Sequence, residues 1–441
     1  TSEAGGGAGF DAVMAGGDIP DMMALWIGDT ISGISNYGMK GAFAPLNAYI
    51  DSNPYLAKRL NANPRVKAMI TAPDGNICVY PRILEGAAKV YAGIIIRDDW
   101  LKEAGVSTPE TIDQVYEVCK AMKAKDANRF PLDIIAGGAS WAGSNWVIWQ
   151  YGVDAGFVHE GDKVQFGPLH PAFPEAMGFL NKCYQEGLIN PEFQQYNAET
   201  WQKDVLGGVI GICDVNNDHI GVIVKEAPDT GWEPIAMPKG PTGLHQDFRN
   251  YTDLDRWSAN VISANSQHRD ILAKYHDLYY SDSGSTLMYY GVYGDTYTEV
   301  DGKKVWTDKV LNSKMAPNEY NYNLVAPNWF GACYMTNQQW LDLNPGKLGK
   351  AIALWTERDA PAVTQSQLPD MILTEEENNT LKTVMADINT LVQEQTIRFV
   401  KGELNLSGDY QDFAGKIRGM GIDQAVAVYQ AAYDRYRKIL G

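Results

Sequence analysis

The sequence predicts an α/β protein of two lobes. Three features carry the prediction. At 441 residues the chain exceeds what a single hydrophobic core ordinarily organises. Short apolar runs of strand length alternate with segments whose apolar residues recur at helical spacing, as in βαβ units. No internal repeat, low-complexity tract or apolar run near the ~18–20 residues of a membrane span breaks that alternation.

Composition narrows the classes of function. Apolar residues make up 45% and charged residues 21%, as in a soluble globular protein. The net charge of −17 argues against nucleic-acid and anionic-lipid partners, because the overall field repels both. No signal peptide is present, so the chain is cytosolic or already trimmed. The cysteines Cys78, Cys119, Cys183, Cys213 and Cys333 are scattered, odd in number and form no CxxC pair, and are expected to be small core residues. Trp (12) and Tyr (24) are abundant, which suits either an ordinary core or stacking on sugar rings.

In chain order, the Gly-rich segment 1–9 lacks the Gly-Lys-Ser/Thr of a phosphate loop and is expected to be a connection. A helix follows and stops at Gly16-Gly17-Asp18-Ile19-Pro20. Met22 to Trp26 has the length of a buried strand and ends in Ile27-Gly28-Asp29. Asp74-Gly75-Asn76 reads as a hairpin turn between 69–71 and 77–80. A strand is expected from Val90 to Ile96. Thr108-Pro109 opens a helix whose buried face is Ile112, Val115, Cys119 and Met122. Residues 131–136 are extended, Gly161-Asp162 tips a hairpin, and 174–188 is helical. Strands are expected at 209–213, 232–237 and 259–263, a helix at 271–280, and a hairpin about Asp301-Gly302. Thr374 to Glu377 is a capping box opening a long helix, and a last helix runs from Asp423 to Leu440.

Several stretches resemble one family. FDAVMAGGDIPDMMALWIGDT (10–30), the strand, "IRDDWL" and "TPET" run of 81–123, YYGVYGDTYTEVDGK (289–303) and the closing 374–440 are similar to the extracellular solute-binding proteins of ABC importers. The likeness is to the sugar-binding, maltose-binding-protein-like cluster and its lipoprotein branch in Gram-positive bacteria. It implies a type II periplasmic-binding-protein-like fold, each lobe a mainly parallel sheet flanked by helices, with the ligand in the cleft between. The lobes are expected at 1–130 plus 258–315 and at 131–257 plus 316–441. Family members begin with a strand before this chain does, so a truncated first lobe is expected. The resemblance also implies a monomeric cell-surface protein, joined to the membrane only through a lipid anchor outside this chain. Its partners would be an oligosaccharide ligand and ABC permease subunits.

Candidate ligand residues follow from strand ends, where open α/β sheets bind. Trp26 and Asp29 offer a ring platform and a carboxylate; the bland reading is a core tryptophan and a helix cap. Trp141, Asn145 and Trp146 follow a second-lobe strand, with either Trp146 or Trp149 expected in the core. Asp214, Asn216 and Asn217 supply donors and acceptors for sugar hydroxyls, and Trp257 and Trp329 fall near other crossings. Tyr293 and Asp295 sit in a Gly-rich turn, and Arg82 could pair with an acidic sugar or bridge the lobes. No cofactor or metal is expected: the oxygens at 214, 216 and 218 lack the glycine and glutamate of a calcium loop, having His219 and Lys225 there, and 126–129 lacks an acidic run. No HExxH or GxSxG occurs, and the 54 acidic residues single out no catalytic pair, so a binding protein is favoured over an enzyme. A carbohydrate-active hydrolase, a binder of peptides or other solutes, and a surface lectin are the alternatives.

Overall fold

A computed structural model describes residues 7–26, 30–134, 146–243, 253–315, 317–325, 331–344, 346–359 and 367–441. In chain order its strands are β1 (Met22–Trp26), β2 (Tyr80–Leu84), β3 (Ala92–Arg97), β4 (Phe157–Glu160), β5 (Lys163–Phe166), β6 (Ile212–Asn216), β7 (Trp232–Ile235), β8 (Leu254–Ile262), β9 (Tyr297–Val300), β10 (Lys303–Trp306) and β11 (Cys333–Met335). One sheet has the order β1-β8-β2-β11 and a second the order β6-β3-β7, while β4–β5 and β9–β10 are hairpins. Each sheet is covered by helices, giving the two-lobe α/β architecture expected.

Two expectations are corrected. The sheets are not mainly parallel among the described residues: β2–β11 is parallel, but β1–β8, β2–β8, β3–β6 and β3–β7 are antiparallel. The connections explain this. β2 leaves the first sheet where β8 re-enters it, so the two neighbours must run in opposite directions. The first crossing also precedes residue 130, because β3 pairs with β6 and β7. All but the last residue of β3 is buried, as befits the middle strand of a covered sheet. At Gly93 an added Cβ would stand 2.2 Å from the Trp355 ring, so only glycine lets helix Lys347–Arg358 lie this close.

Each lobe has its own core. The first gathers Phe43, Leu56, Leu60, Met69, Val261 and Tyr280 around its sheet. Met69 and Ile70, read as part of a strand, close helix Pro64–Ile70 instead. The second lobe packs both faces of its sheet. One side carries Ile94, Val115, Met122, Leu180 and Phe399. The other carries Ile95, Trp201, Val215, Trp232 and Trp355. Helix Ile112–Lys125 buries the face read from its spacing, and Thr111, three residues after the expected cap, accepts from the Gln114 amide. All five cysteines are free and buried. Among the described residues no helix is long and apolar enough to cross a membrane.

The C-terminal helix Ile422–Leu440 joins the lobes. Its Ile422, Ala425 and Ala432 enter the second lobe's core, while Tyr433 and Tyr436 enter the first's. Glu377, in the first turn of helix Glu375–Lys401, accepts two hydrogen bonds of 2.7 Å from Arg435.

Candidate functional site

Crossing segments run side by side between the sheets. Leu84 N donates to Asp253 O, Glu85 N to Met335 O, and Ala87 N to the Asn337 side chain at 2.8–3.0 Å. They bring the carboxyl ends of β2 and β11 and the start of β8 next to the start of β3. The carboxyl end of β6 arrives there too, since Asn216 pairs with Ala92. The ends of both sheets therefore meet at the crossings, where a cleft between lobes must lie.

On the first-lobe side, β8 is irregular. Its pairing with β2 jumps from Pro81↔Ala259 to Arg82↔Asp255, leaving 256–258 as a bulge against β2. Pro81 has no amide hydrogen to offer the ladder, which suits an irregularity here. Asp255 fixes the bulge by accepting from Trp257 N at 3.0 Å and Ser258 Oγ at 2.8 Å. Trp257 at its crest is 42% exposed. Bulges commonly re-aim a side chain towards a site. The backbone of Trp26 lies alongside, paired with Ser258.

On the second-lobe side, Asn216 caps helix Asn217–Glu226, its Oδ1 accepting from His219 N. Its Nδ2 donates to the Tyr91 hydroxyl at 3.2 Å, and Asn217 N donates to Tyr91 O at 3.0 Å. Tyr91 is thus held by backbone and side chain, yet is 47% exposed. Asn217 is buried with Nδ2 on Val90 O, and its Oδ1 has no hydrogen-bond partner. Asp214 is buried within β6.

Other predicted residues lie elsewhere. Trp146 is 1% exposed with Nε1 donating to Asp133 O, so it is a core residue like Trp149. Its helix is apolar on every side (Trp146–Trp149), which leaves no exposed face. Arg82 is buried beside Asp255, at 3.3 Å, and Met335 Sδ. Burial alone would lower its pKa, but Tyr289, Cys333 and Asp255 around the guanidinium raise it, and it stays a cation inside the first lobe. Tyr293 is 64% exposed against Tyr297 of the β9–β10 hairpin, and Asp295 pairs with Lys309 at 2.8 Å. That hairpin packs with Cys333 and Met335 of β11 in one hydrophobic cluster, which Tyr297 enters and Trp306 lies against, and Trp306 Nε1 donates to Asp342 O. Asp29, Trp141, Asn145 and Trp329 lie outside the described residues.

Tyr91 escaped the sequence reading because it was counted inside a strand. Its signal was the polar-aromatic interruption Lys89-Val90-Tyr91 before an otherwise apolar run. At the start of β8, Asp253 accepts from Lys89, Arg65 and Asn63. Among the described residues no three His, Cys, Asp or Glu side chains are grouped to hold a metal ion.

Residues 1–285 match the family described as bacterial extracellular solute-binding protein. The chain belongs to that family. Among curated relatives of this solute-binding protein, the fructooligosaccharide ABC transporter substrate-binding protein FusA of Streptococcus pneumoniae is 23% identical, over 96% of this chain and 81% of FusA. Among solved structures, alginate-binding protein AlgQ2 is 25% identical with a TM-score of 0.71, over 96% of this chain and 88% of AlgQ2. An HMO-binding, ABC-transporter-associated solute-binding protein from Bifidobacterium longum infantis has a TM-score of 0.75 at 19% identity, over 97% of this chain and 89% of that one. Solute-binding proteins of this kind hold a ligand and are not enzymes.

Proposed function

We propose that this protein captures an extracellular oligosaccharide between its lobes and delivers it to an ABC permease without altering it. The observation that carries this reading is the pair of exposed aromatic residues at the crossings, Trp257 on a bulge of the first sheet and Tyr91 pinned at the second. Aromatic faces cover the apolar faces of sugar rings, while amides such as Asn216 bond their hydroxyls. FusA and AlgQ2 are named for glycans, which supports the same ligand class here. Lobes linked by adjacent crossing segments can close by a hinge, and the closed form is what a permease would recognise. We place the protein at the cell surface as a monomer, held by a lipid anchor, in a Gram-positive bacterium.

Tryptophan fluorescence and thermal shift across an oligosaccharide panel test this, with the glycan recovered and sized afterwards. A saturable response with intact glycan is expected, with stabilisation of ~2.7 kcal/mol at a hundredfold excess over Kd. Shortened glycan would point to a hydrolase. A response to peptides alone would replace the ligand class.

A further inference from the structure

Helix Ile112–Lys125 ends at Asp126, and the turn 126–130 then leads the chain back beside β6. A helix end leaves carbonyls without intrahelical donors, and a lysine near it often serves them. Lys123 reaches beyond its helix into the turn: Nζ donates to Ala127 O and to Arg129 O, both at 2.7 Å. The ammonium also lies over the Phe130 ring, 4.2 Å from its centre. Its stem passes Gly187, where an added Cβ would stand 3.8 Å from Lys123 Cε. An exposed lysine ordinarily keeps its head in water. This one is partly buried, and burial pushes its pKa down while Asp126 acts the other way.

Carbonyl oxygens gathered on a positive charge are also how a protein holds calcium. That metal bears on this fold, since the AlgQ2 structure is of the protein without calcium ion and one FusA structure is of an EF-hand mutant. The turn does not fit it. Calcium takes about 6–8 oxygens, several of them from carboxylates. Asp126 is the single acidic residue of 126–130, and its Oδ1 accepts from Asn128 N at 2.9 Å. A dication at the two carbonyls would stand against the ammonium that already holds them, and like charges so close repel strongly. Arg129, paired with Glu103 at 2.7 Å and 3.9 Å over the Trp100 ring, adds a second positive charge to the turn.

We propose that the Lys123 ammonium is the built-in cation of this turn, doing there what a metal ion would do, and that the turn takes up no calcium. The turn sets where the chain goes next. Phe130 N donates to Val209 O, Leu132 N to Leu188 O and Asp133 N to Ile212 O, at 2.9–3.0 Å. The segment so placed runs beside β6, whose far end carries Asn216 to the crossings, and its Asp133 receives Trp146 and Trp201.

The test is the melting temperature of the whole chain in EDTA and in about 5 mM calcium chloride, above the range of extracellular calcium modules. The parent is compared with Lys123→Met, Lys123→Arg and Asp126→Asn. The parent should melt alike in both buffers. Lys123→Met, which keeps the apolar stem and loses the charge, should melt about 2–4 °C lower in EDTA. Lys123→Arg, which keeps the charge, should recover at least half of that loss. A parent that melts higher in calcium, with the rise lost in Asp126→Asn, would overturn the proposal by placing a metal in the turn. A rise that survives Asp126→Asn belongs to another part of the chain, and the Lys123 variants in EDTA then decide. Lys123→Met melting with the parent would overturn the role of the ammonium, and Lys123→Arg melting as low as Lys123→Met would show that the charge is not what holds the turn.

Discussion

Lys89 and Asp253 meet at 2.5 Å where the first crossing passes the start of β8. Asp253 is buried and also holds Arg65 at 3.0 Å and Asn63 at 2.9 Å, so one carboxylate fastens two crossings to helix Pro64–Ile70. Asp253→Ala leaves both cations without their counter-charge. Since Lys89 and Arg65 are partly solvated, the expected cost is ~2–3 kcal/mol, below that of a fully buried pair. Denaturant unfolding measures it. Lys89→Ala should cost less, ~1 kcal/mol, because Asp253 keeps Arg65 and Asn63.

Two tryptophans separate core from site. Trp146→Ala removes a fully buried ring and the hydrogen bond to Asp133, and should destabilise by ~3–5 kcal/mol. Trp257→Ala alters an exposed ring and should change unfolding free energy by only ~0.5 kcal/mol. Its effect belongs in binding, where a loss of about tenfold in glycan affinity is expected by titration. A Trp257 variant that binds normally would remove that residue from the site.

How much of this was legible follows from what periodicity encodes. Spacing exposed the face Ile112, Val115, Cys119 and Met122 because a helix repeats locally. It placed a strand at 209–213, three residues early: β6 is Ile212–Asn216, so Asp214 lies inside the strand and Asn216 ends it at the crossings. It could not show that β3 belongs to the second sheet, because pairing with β6 and β7 is set by contacts far away in sequence. The bulge that lifts Trp257 was invisible for the same reason: it exists only relative to β2. Residue type misled at Trp146 and Arg82, where a ring and a guanidinium suited to ligands serve the interior instead.

His276 gives the fold a pH dependence with a definite sign. It is buried, stacked on Tyr80 at 4.6 Å, and its Nδ1–H donates to Leu272 O at 2.8 Å. Nε2 is buried with no hydrogen-bond partner, so a second proton would have nothing to bond. Burial pushes the imidazole down to about 4, with the Leu272 bond acting weakly the other way. Above pH ~6.5 the ring is neutral in both folded and unfolded chains and costs nothing. As pH falls from there to about 4, the unfolded chain takes up a proton that the folded one refuses, and stability drops by about 3 kcal/mol. The neighbouring Asp277 carboxyl is raised by burial and works in the opposite sense near the acid end. Unfolding free energies of His276→Phe across pH 4 to 7 should lose most of the slope that the parent shows.

The clasp between Glu377 and Arg435 makes the last prediction, for the joint between the C-terminal helices. Thr374 Oγ1 accepts from Glu377 N at 3.1 Å, and Thr374 N donates to Glu377 Oε2 at 2.8 Å, so this carboxylate serves both the helix cap and Arg435. Burial alone would raise its pKa, but the guanidinium and the Thr374 amide outweigh that and hold it below the usual carboxylate range. With the folded pKa depressed, the stabilisation is present above the unfolded value and fades as pH falls through the folded one. Arg435→Ala should cost ~1–2 kcal/mol near neutrality. Thr374→Ala should cost ~1 kcal/mol through the lost cap. Because both partners act on one carboxylate, the double variant should cost less or more than the sum by at least ~0.5 kcal/mol. Simple additivity in a double-mutant cycle would show that cap and clasp are independent. The Arg435 term should shrink at acid pH as Glu377 is protonated, whereas the part of the cap made by Thr374 Oγ1 to the backbone should persist.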